Sequence, residues 1–162
     1  MIYLGVDPGA SGAIVAIDGN EIMHARNDWT ERDVSDWLSA FEPLKDDYCF
    51  AILEQVSAMP KQGVSSTFKF GRSYGFLRGL LIAHRIPFET VTPAKWQQVM
   101  RCRSKGDKNV TKARAQELFP THKWTHRTAD AVLLAEYGRR TMAERVMHQR
   151  LDDERRNITE GK

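Results

Sequence analysis

Residues 2–18 read IYLGVDPGASGAIVAID, and their order constrains the rest of the chain. Residues 2–6 form a short apolar run that stops at Asp7-Pro8-Gly9, a break signal in which proline removes a backbone donor. Residues 12–17 are rich in β-formers. Asp18-Gly19-Asn20 is hairpin chemistry, returning the chain into a third strand over residues 21–26. Such a start lays down the antiparallel part of a sheet. The residue that ends the first strand is an acid, Asp7, at the C-terminal strand edge where α/β sheets build ligand sites.

Beyond this stretch the periodicity changes. Thr30 can cap a helix with Asp33 three positions on, and Val34, Trp37, Leu38 and Phe41 supply an apolar stripe. YCFAIL over residues 48–53 is a continuous apolar run, as expected of a central strand covered on both faces, and it ends at Glu54. A polar loop over residues 57–66 leads to a helix over 67–84, then a strand over 87–91. There follow a helix opened by Pro93, a basic loop over 103–109, a helix capped by Thr111, and a helix over 127–140. The order β-β-β-α-β-α-β-α-α-α predicts an α/β fold, a mixed five-stranded sheet flanked by helices. Residues 1–142 read as one domain, and residues 143–162 as its charged helical tail.

With 41% hydrophobic and 28% charged residues, the 162-residue chain has the composition of a globular domain. No apolar run approaches the roughly 18 residues needed to cross a bilayer, so no membrane partner is expected. The first acid, Asp7, comes before an export signal can form, and a cytoplasmic location follows as the expectation. Cys49 and Cys102 lie far apart without Cys-x-x-Cys spacing, which suits reduced thiols and suggests no zinc site. The net charge of +3 hides an asymmetry: residues 1–54 hold 3 Lys/Arg against 11 Asp/Glu, whereas residues 93–123 hold 8 against 2. An acidic front beside a basic middle suits either metal binding with polyanion binding or a solvated basic face.

Three acids stand out. Asp7 and Glu54 each follow an apolar strand. Asp130 lies near the start of the apolar helix sequence TADAVLLA, residues 128–135. Singly, each reads as structural, Asp130 for example as a favourable first-turn acid. Together, with no other acid read inside an apolar run, they form an oxygen-donor set of the kind that selects hard cations.

GVDPGASGAIVAID, AILEQV, VTPAKWQQVM, DKNVTKARAQELFP and TADAVLLAEYG, in this order, resemble the RuvC-type Holliday junction resolvases, especially their phage-encoded branch. The match runs over residues 2–140. The resemblance implies an RNase H-like fold, a homodimer, a Mg²⁺ cofactor replaceable by Mn²⁺, and paired nicks across branched DNA by two-metal phosphodiester hydrolysis. It places Asp7, Glu54 and Asp130 on the metal-ligand positions, and Lys108, after Asp107, near the scissile phosphate. Two positions depart from the family. Arg127 stands where a fourth acid or histidine is usual, with His126 beside it, and His126 is the expected replacement. Ser57, with Met59 nearby, stands where cellular members carry a junction-wedging aromatic.

The basic residues form two clusters suited to phosphate contacts: Lys95, Arg101, Arg103, Lys105, Lys108, Lys112 and Arg114, and then Lys61, Lys69, Arg72 and Arg78. Trp124 can stack on a base or pack in the core. Gly71, Gly75 and Gly79 share one helix face, where each costs about 0.5–1 kcal/mol relative to alanine. Close approach within the subunit or to a second subunit is the physical reason available. Alternatives to junction cleavage are an RNase H-like nuclease of forks, flaps or RNA, and a DNA-structure-binding protein with decayed catalysis. A DPG-containing sugar-kinase or actin-like ATPase fold normally needs a second phosphate loop and far more chain.

Overall fold

The computed structural model describes residues 1–9, 12–25, 29–41, 49–55, 63–103 and 106–160. Beyond Ala143, Arg145 is the one residue whose side chain it describes. Five strands, β1 (Ile2–Asp7), β2 (Ala13–Asp18), β3 (Glu21–His24), β4 (Cys49–Glu54) and β5 (Phe88–Val91), form one sheet in the order β3-β2-β1-β4-β5. The hairpin strands β1, β2 and β3 pair antiparallel, whereas β1, β4 and β5 run parallel. Helices α1 (Glu31–Ser39), α2 (Val64–Ala83), α3 (Pro93–Val99), α4 (Lys108–Leu118) and α5 (Thr128–Glu160) complete the mixed α/β architecture expected from the sequence.

Strand alternation divides the core into two layers. Leu4, Val6, Ile14, Ala16, Ala51 and Leu53 face α1 and α2, packing with Leu38, Phe41, Leu77 and Leu81. Tyr3, Val15, Ile17 and Ile52 face the other way, onto Ala131, Val132, Leu134 and Ala135 of α5 and onto Trp96 of α3. The parity has a chemical consequence. Asp7 follows Tyr3 and Gly5, and Glu54 follows Ile52, so both acids belong to the α5 layer.

Helix α5 lies almost in contact with the backbone of β1. A Cβ on Gly5 would fall 1.9 Å from the Ala131 carbonyl oxygen and 2.4 Å from the Ala135 amide nitrogen. Only a residue without a side chain allows that approach, and the approach brings the first turn of α5, with Asp130, down to the edge where β1 and β4 end.

Local chemistry explains most helix ends. Thr30 and Asp33 form the expected capping box, with Thr30 N–H donating to Asp33 at 2.7 Å. Thr92 caps α3 and Pro93 occupies its first turn. The expectation that Thr111 caps the fourth helix is corrected: Asp107 is the cap, accepting from the Asn109 amide at 2.9 Å, and Thr111 is buried inside the helix. The competing acid lay four residues upstream, in what was read as loop. Helix α2 starts at Val64 rather than residue 67 because Gly63 can serve as its N-cap without a side-chain bond. The last helix starts at Thr128, leaving His126 and Arg127 in the preceding turn, and runs unbroken through the stretch read as a tail. Arg145 ties this extension to Glu89 on β5 through a two-pronged ion pair.

Gly5→Ala should destabilise the protein by about 3 kcal/mol or more, because the clash is with backbone atoms that cannot rotate aside. Urea unfolding of the variant tests this, and a midpoint equal to wild type would show that α5 can lift off β1 at little cost.

Candidate active site

The three acids singled out in the sequence meet at one edge of the sheet. Gly5 pairs with Ile52 and Val6 with Leu53, so Asp7 and Glu54 end adjacent parallel strands, roughly 5 Å apart along the hydrogen-bonding direction. The turn after Asp7 is tight: the Gly12 amide donates to the Gly9 carbonyl at 2.9 Å, and a Cβ on Gly12 would meet the Asp7 carbonyl at 2.0 Å. Asp130 comes from above, on the first turn of α5.

All three carboxyls are shifted towards the protonated form. Burial raises Asp7 to about 6, helped by the charge of Asp130 and opposed by the Gly9 amide and Lys108. Burial raises Glu54 to about 7; the Trp96 indole opposes this, Asp7 and Asp130 add to it, and Lys108 opposes it. Burial raises Asp130 as well, against Thr111, Lys108 and His126. Lys108, the first residue of α4, is thus the cation common to all three acids. It is exposed.

A comparison within α5 separates a paired acid from one with an unpartnered oxygen. Sequence reading found no acid other than these three inside an apolar run, but Glu136 is buried more deeply, at 2% exposure. It is fully paired: Arg139 Nε donates at 2.6 Å and Arg140 Nε at 2.7 Å. Oδ1 of Asp130, by contrast, is buried without a hydrogen-bond partner. An orphaned carboxylate oxygen is costly unless a cation or a donor completes it. The donor set is all oxygen and fits Mg²⁺ or Mn²⁺. Even so, among the described residues no three Asp, Glu, His or Cys side chains converge into a ready-made cage. The acids sense one another without yet sharing a coordination centre.

The other expected site residues are dispersed. His126 is exposed, with Nδ1 3.3 Å from the Lys108 carbonyl. It lies outside the helix, so the i, i+4 relation to Asp130 expected of a continuous helix does not hold, although its charge still reaches that acid. Arg127 lines a cavity of about 190 Å³ beside Asp7, together with Ser73, Phe76, Leu77 and Ile14. Lys69, Lys95, Arg101, Arg103 and Lys112 are exposed. Arg103 donates to Gln98 at 2.9 Å, and Arg72 lies 3.7 Å from Glu31. Arg114 is largely structural, binding the Met100 carbonyl at 2.8 Å and Glu117 at 2.7 Å. Lys61 and Lys105, with Ser57 and Met59, lie outside the described residues. Trp124 is a packing residue: it is 5% exposed, and its indole donates to the Phe119 carbonyl at 3.1 Å. Both cysteines are free and buried.

Sequence reasoning missed Trp96. Its indole donates to Glu54 Oε1 at 2.8 Å from a fully buried ring. No spacing rule links a residue in a short helix to an acid forty-two positions earlier.

The strand order, the parallel and antiparallel pairings and the helix placement define an RNase H-like α/β fold. The fold is similar to that of Thermus thermophilus RuvC, solved by itself and in complex with a Holliday junction substrate. Each comparison has a TM-score of 0.55 and 16% sequence identity, and covers 85% of this chain and 92% of the RuvC chain. No protein-family model and no curated protein matches the chain by sequence. Among the described residues no helix is long and apolar enough to cross a membrane.

The raised carboxyls set a pH dependence. A buried acid whose folded pKa exceeds its unfolded value stabilises the fold fully below the unfolded pKa and loses that contribution as pH rises through the folded pKa. For Asp7 and Glu54 that window runs from their ordinary values, 3.8 and 4.5, to about 6 and about 7. Asp33 and Glu89, shifted down by Thr30 and by Arg145, act in the opposite sense at lower pH. In EDTA, the melting temperature should therefore fall between pH 5 and 7.5. Asp7→Asn should raise it at pH 7.5 by several degrees, on the scale of roughly 2–4 °C per kcal/mol. Added Mg²⁺ should stabilise wild type more at pH 7.5 than at pH 5. A flat profile in EDTA would mean that the three acids are solvated rather than buried.

Proposed function

We propose that this chain is a divalent-metal-dependent endonuclease that cleaves branched DNA, four-way junctions above all, by phosphodiester hydrolysis at Asp7, Glu54 and Asp130. The observation that carries the reading is the meeting of three pKa-raised, half-buried acids, one with an orphaned oxygen, beside a single exposed lysine. Mg²⁺ or Mn²⁺ bound there would activate water and stabilise the leaving oxygen. Where two ions are bound, each needs only some of the three carboxylates.

The residues then have distinct tasks. Asp7, Glu54 and Asp130 supply the oxygen ligands, and Lys108 faces the scissile phosphate. Arg127 cannot ligate a cation, having no free lone pair. Placed in the cavity beside Asp7, it suits a phosphate oxygen instead. His126 is assigned to the fourth position, as a ligand or by orienting water, a role supported by its electrostatic reach to Asp130. The exposed cations Lys69, Arg72, Lys95, Arg101, Arg103 and Lys112, with Lys61 and Lys105, hold the DNA arms. Likeness of fold to a protein solved on a Holliday junction supports the junction as substrate. Assignment to the phage-encoded branch rests on the sequence motifs alone.

A homodimer is part of the proposal. On Gly71, Gly75 and Gly79 a Cβ would meet open space, so no close approach among the described residues explains these glycines. Val64, Phe68 and Ile82 stand 88%, 71% and 55% exposed on the same helix. Phe68 lies three positions before Gly71, Ile82 three after Gly79 and Val64 seven before Gly71, spacings that keep them near the glycine face. A second copy packing on this stripe would cover the apolar side chains and use the glycines. It would also match the twofold symmetry of a junction.

Two experiments test the proposal. Labelled four-way junction, duplex, fork and single strand are incubated with and without Mg²⁺. Paired nicks in the junction are expected, and Asp7→Asn, Glu54→Gln and Asp130→Asn should each lower the rate at least ~100-fold while retaining junction binding. Junction binding without cutting in Mg²⁺ or Mn²⁺ would refute the nuclease. Sedimentation tests the assembly: wild type should run as a dimer, and Gly75→Leu should shift towards monomer and nick one strand without coordination. A wild type that is monomeric at micromolar concentration, with and without DNA, would remove the dimer.

A further inference from the structure

We infer that Trp96 is a positioning residue for Glu54: its indole N–H, donated to Oε1 at 2.8 Å, sets the direction of the carboxylate and thereby how well the site holds a divalent cation. The inference rests on the reading of Glu54 as a metal ligand. It adds to that reading the group that aims the ligand.

The geometry leaves the ring little freedom. Trp96 has 0% exposure and packs in the layer between the sheet and α5, with Met100, Val132 and Ala129 in the same cluster. The short helix that carries it is fixed at both ends. The Thr92 hydroxyl caps it and Pro93 starts it. At its far end the Cys102 amide donates to the Gln97 carbonyl at 2.9 Å, with Arg101 in the left-handed conformation at φ 56°. An indole N–H is a donor only. Trp96 can neither ligate a cation nor carry a proton; what its N–H contributes is the direction of the carboxylate, together with support for its charged form. Among the described residues no other side chain donates to Glu54, and the bond leaves Oε2 and a second lone pair of Oε1 for a cation.

A buried tryptophan needs a partner for its N–H in any case. Trp124 meets that need with a backbone carbonyl, at 3.1 Å from Phe119. Trp96 instead uses a carboxylate at the edge of the sheet, one whose other neighbours, Asp7 and Asp130, repel it. Donors behind metal ligands commonly alter metal affinity 10–100-fold when removed.

The test is Trp96→Phe, which keeps the ring and removes the donor. Calorimetric titration of the metal-free protein with Mn²⁺ should show binding at least ~10-fold weaker than wild type. The Mg²⁺ concentration for half-maximal junction cleavage should rise in proportion, while metal-free junction affinity stays unchanged. In a Glu54→Ala background, Trp96→Phe should have no further effect on Mn²⁺ binding. Equal Mn²⁺ affinity in wild type and a folded Trp96→Phe, or the same loss in the Glu54→Ala background, overturns the inference alone. A wild type that takes up no Mn²⁺ overturns the metal reading and this inference with it. Should Trp96→Phe fail to fold, ¹⁵N-labelled wild type decides: the Trp96 indole resonance should move on adding Mg²⁺ more than that of Trp124. An unmoved Trp96 resonance overturns the inference.

Discussion

The carbonyl of Ala131 and the amide of Ala135 occupy the space where a side chain on Gly5 would stand. This backbone-to-backbone approach of α5 to β1 organises much of the molecule. It lets a helix lie flat across the central strands, so that Ala129, Ala131, Val132, Leu134 and Ala135 are fully buried. It also decides where the start of that helix falls. Asp130 is held over the C-terminal ends of β1 and β4, where strand parity has already turned Asp7 and Glu54 to the same side.

Burial makes that meeting chemically useful. A carboxylate at a solvated loop tip would ionise at its ordinary pKa and have little need of a cation. Here desolvation and mutual repulsion leave Asp7 and Glu54 poised near neutrality, and Asp130 keeps an oxygen that no protein group satisfies. Glu136, on the same helix and more deeply buried, shows the structural alternative, two arginines closing both oxygens. The two acids differ in whether the fold supplies a partner for every oxygen rather than in the depth of burial.

Around this centre the cations divide by what they touch. Arg139, Arg140, Arg145 and Arg114 are committed to acids or carbonyls of their own chain. Lys108 faces the acids, and Lys69, Lys95, Arg101 and Lys112 face solvent. The acidic front and the basic middle of the chain meet at Lys108, whose charge reaches all three acids.

Strand and helix order was legible in the sequence because each element carries a local signal. Hairpin glycine, strand alternation, a Thr30–Asp33 box and Pro93 need no knowledge of distant residues. Asp7, Glu54 and Asp130 were legible too, since an acid ending an apolar strand or opening an apolar helix conflicts with its surroundings wherever the chain goes. Tertiary structure alone decided the rest. Which threonine or aspartate caps α4, whether Trp124 packs or protrudes, and that Glu136 is neutralised are outcomes of competition among neighbours. So are the exposed face of Gly71, Gly75 and Gly79 and the bond from Trp96 to Glu54. Such contacts join residues far apart in the chain, and their energies depend on distance and burial that no local pattern encodes.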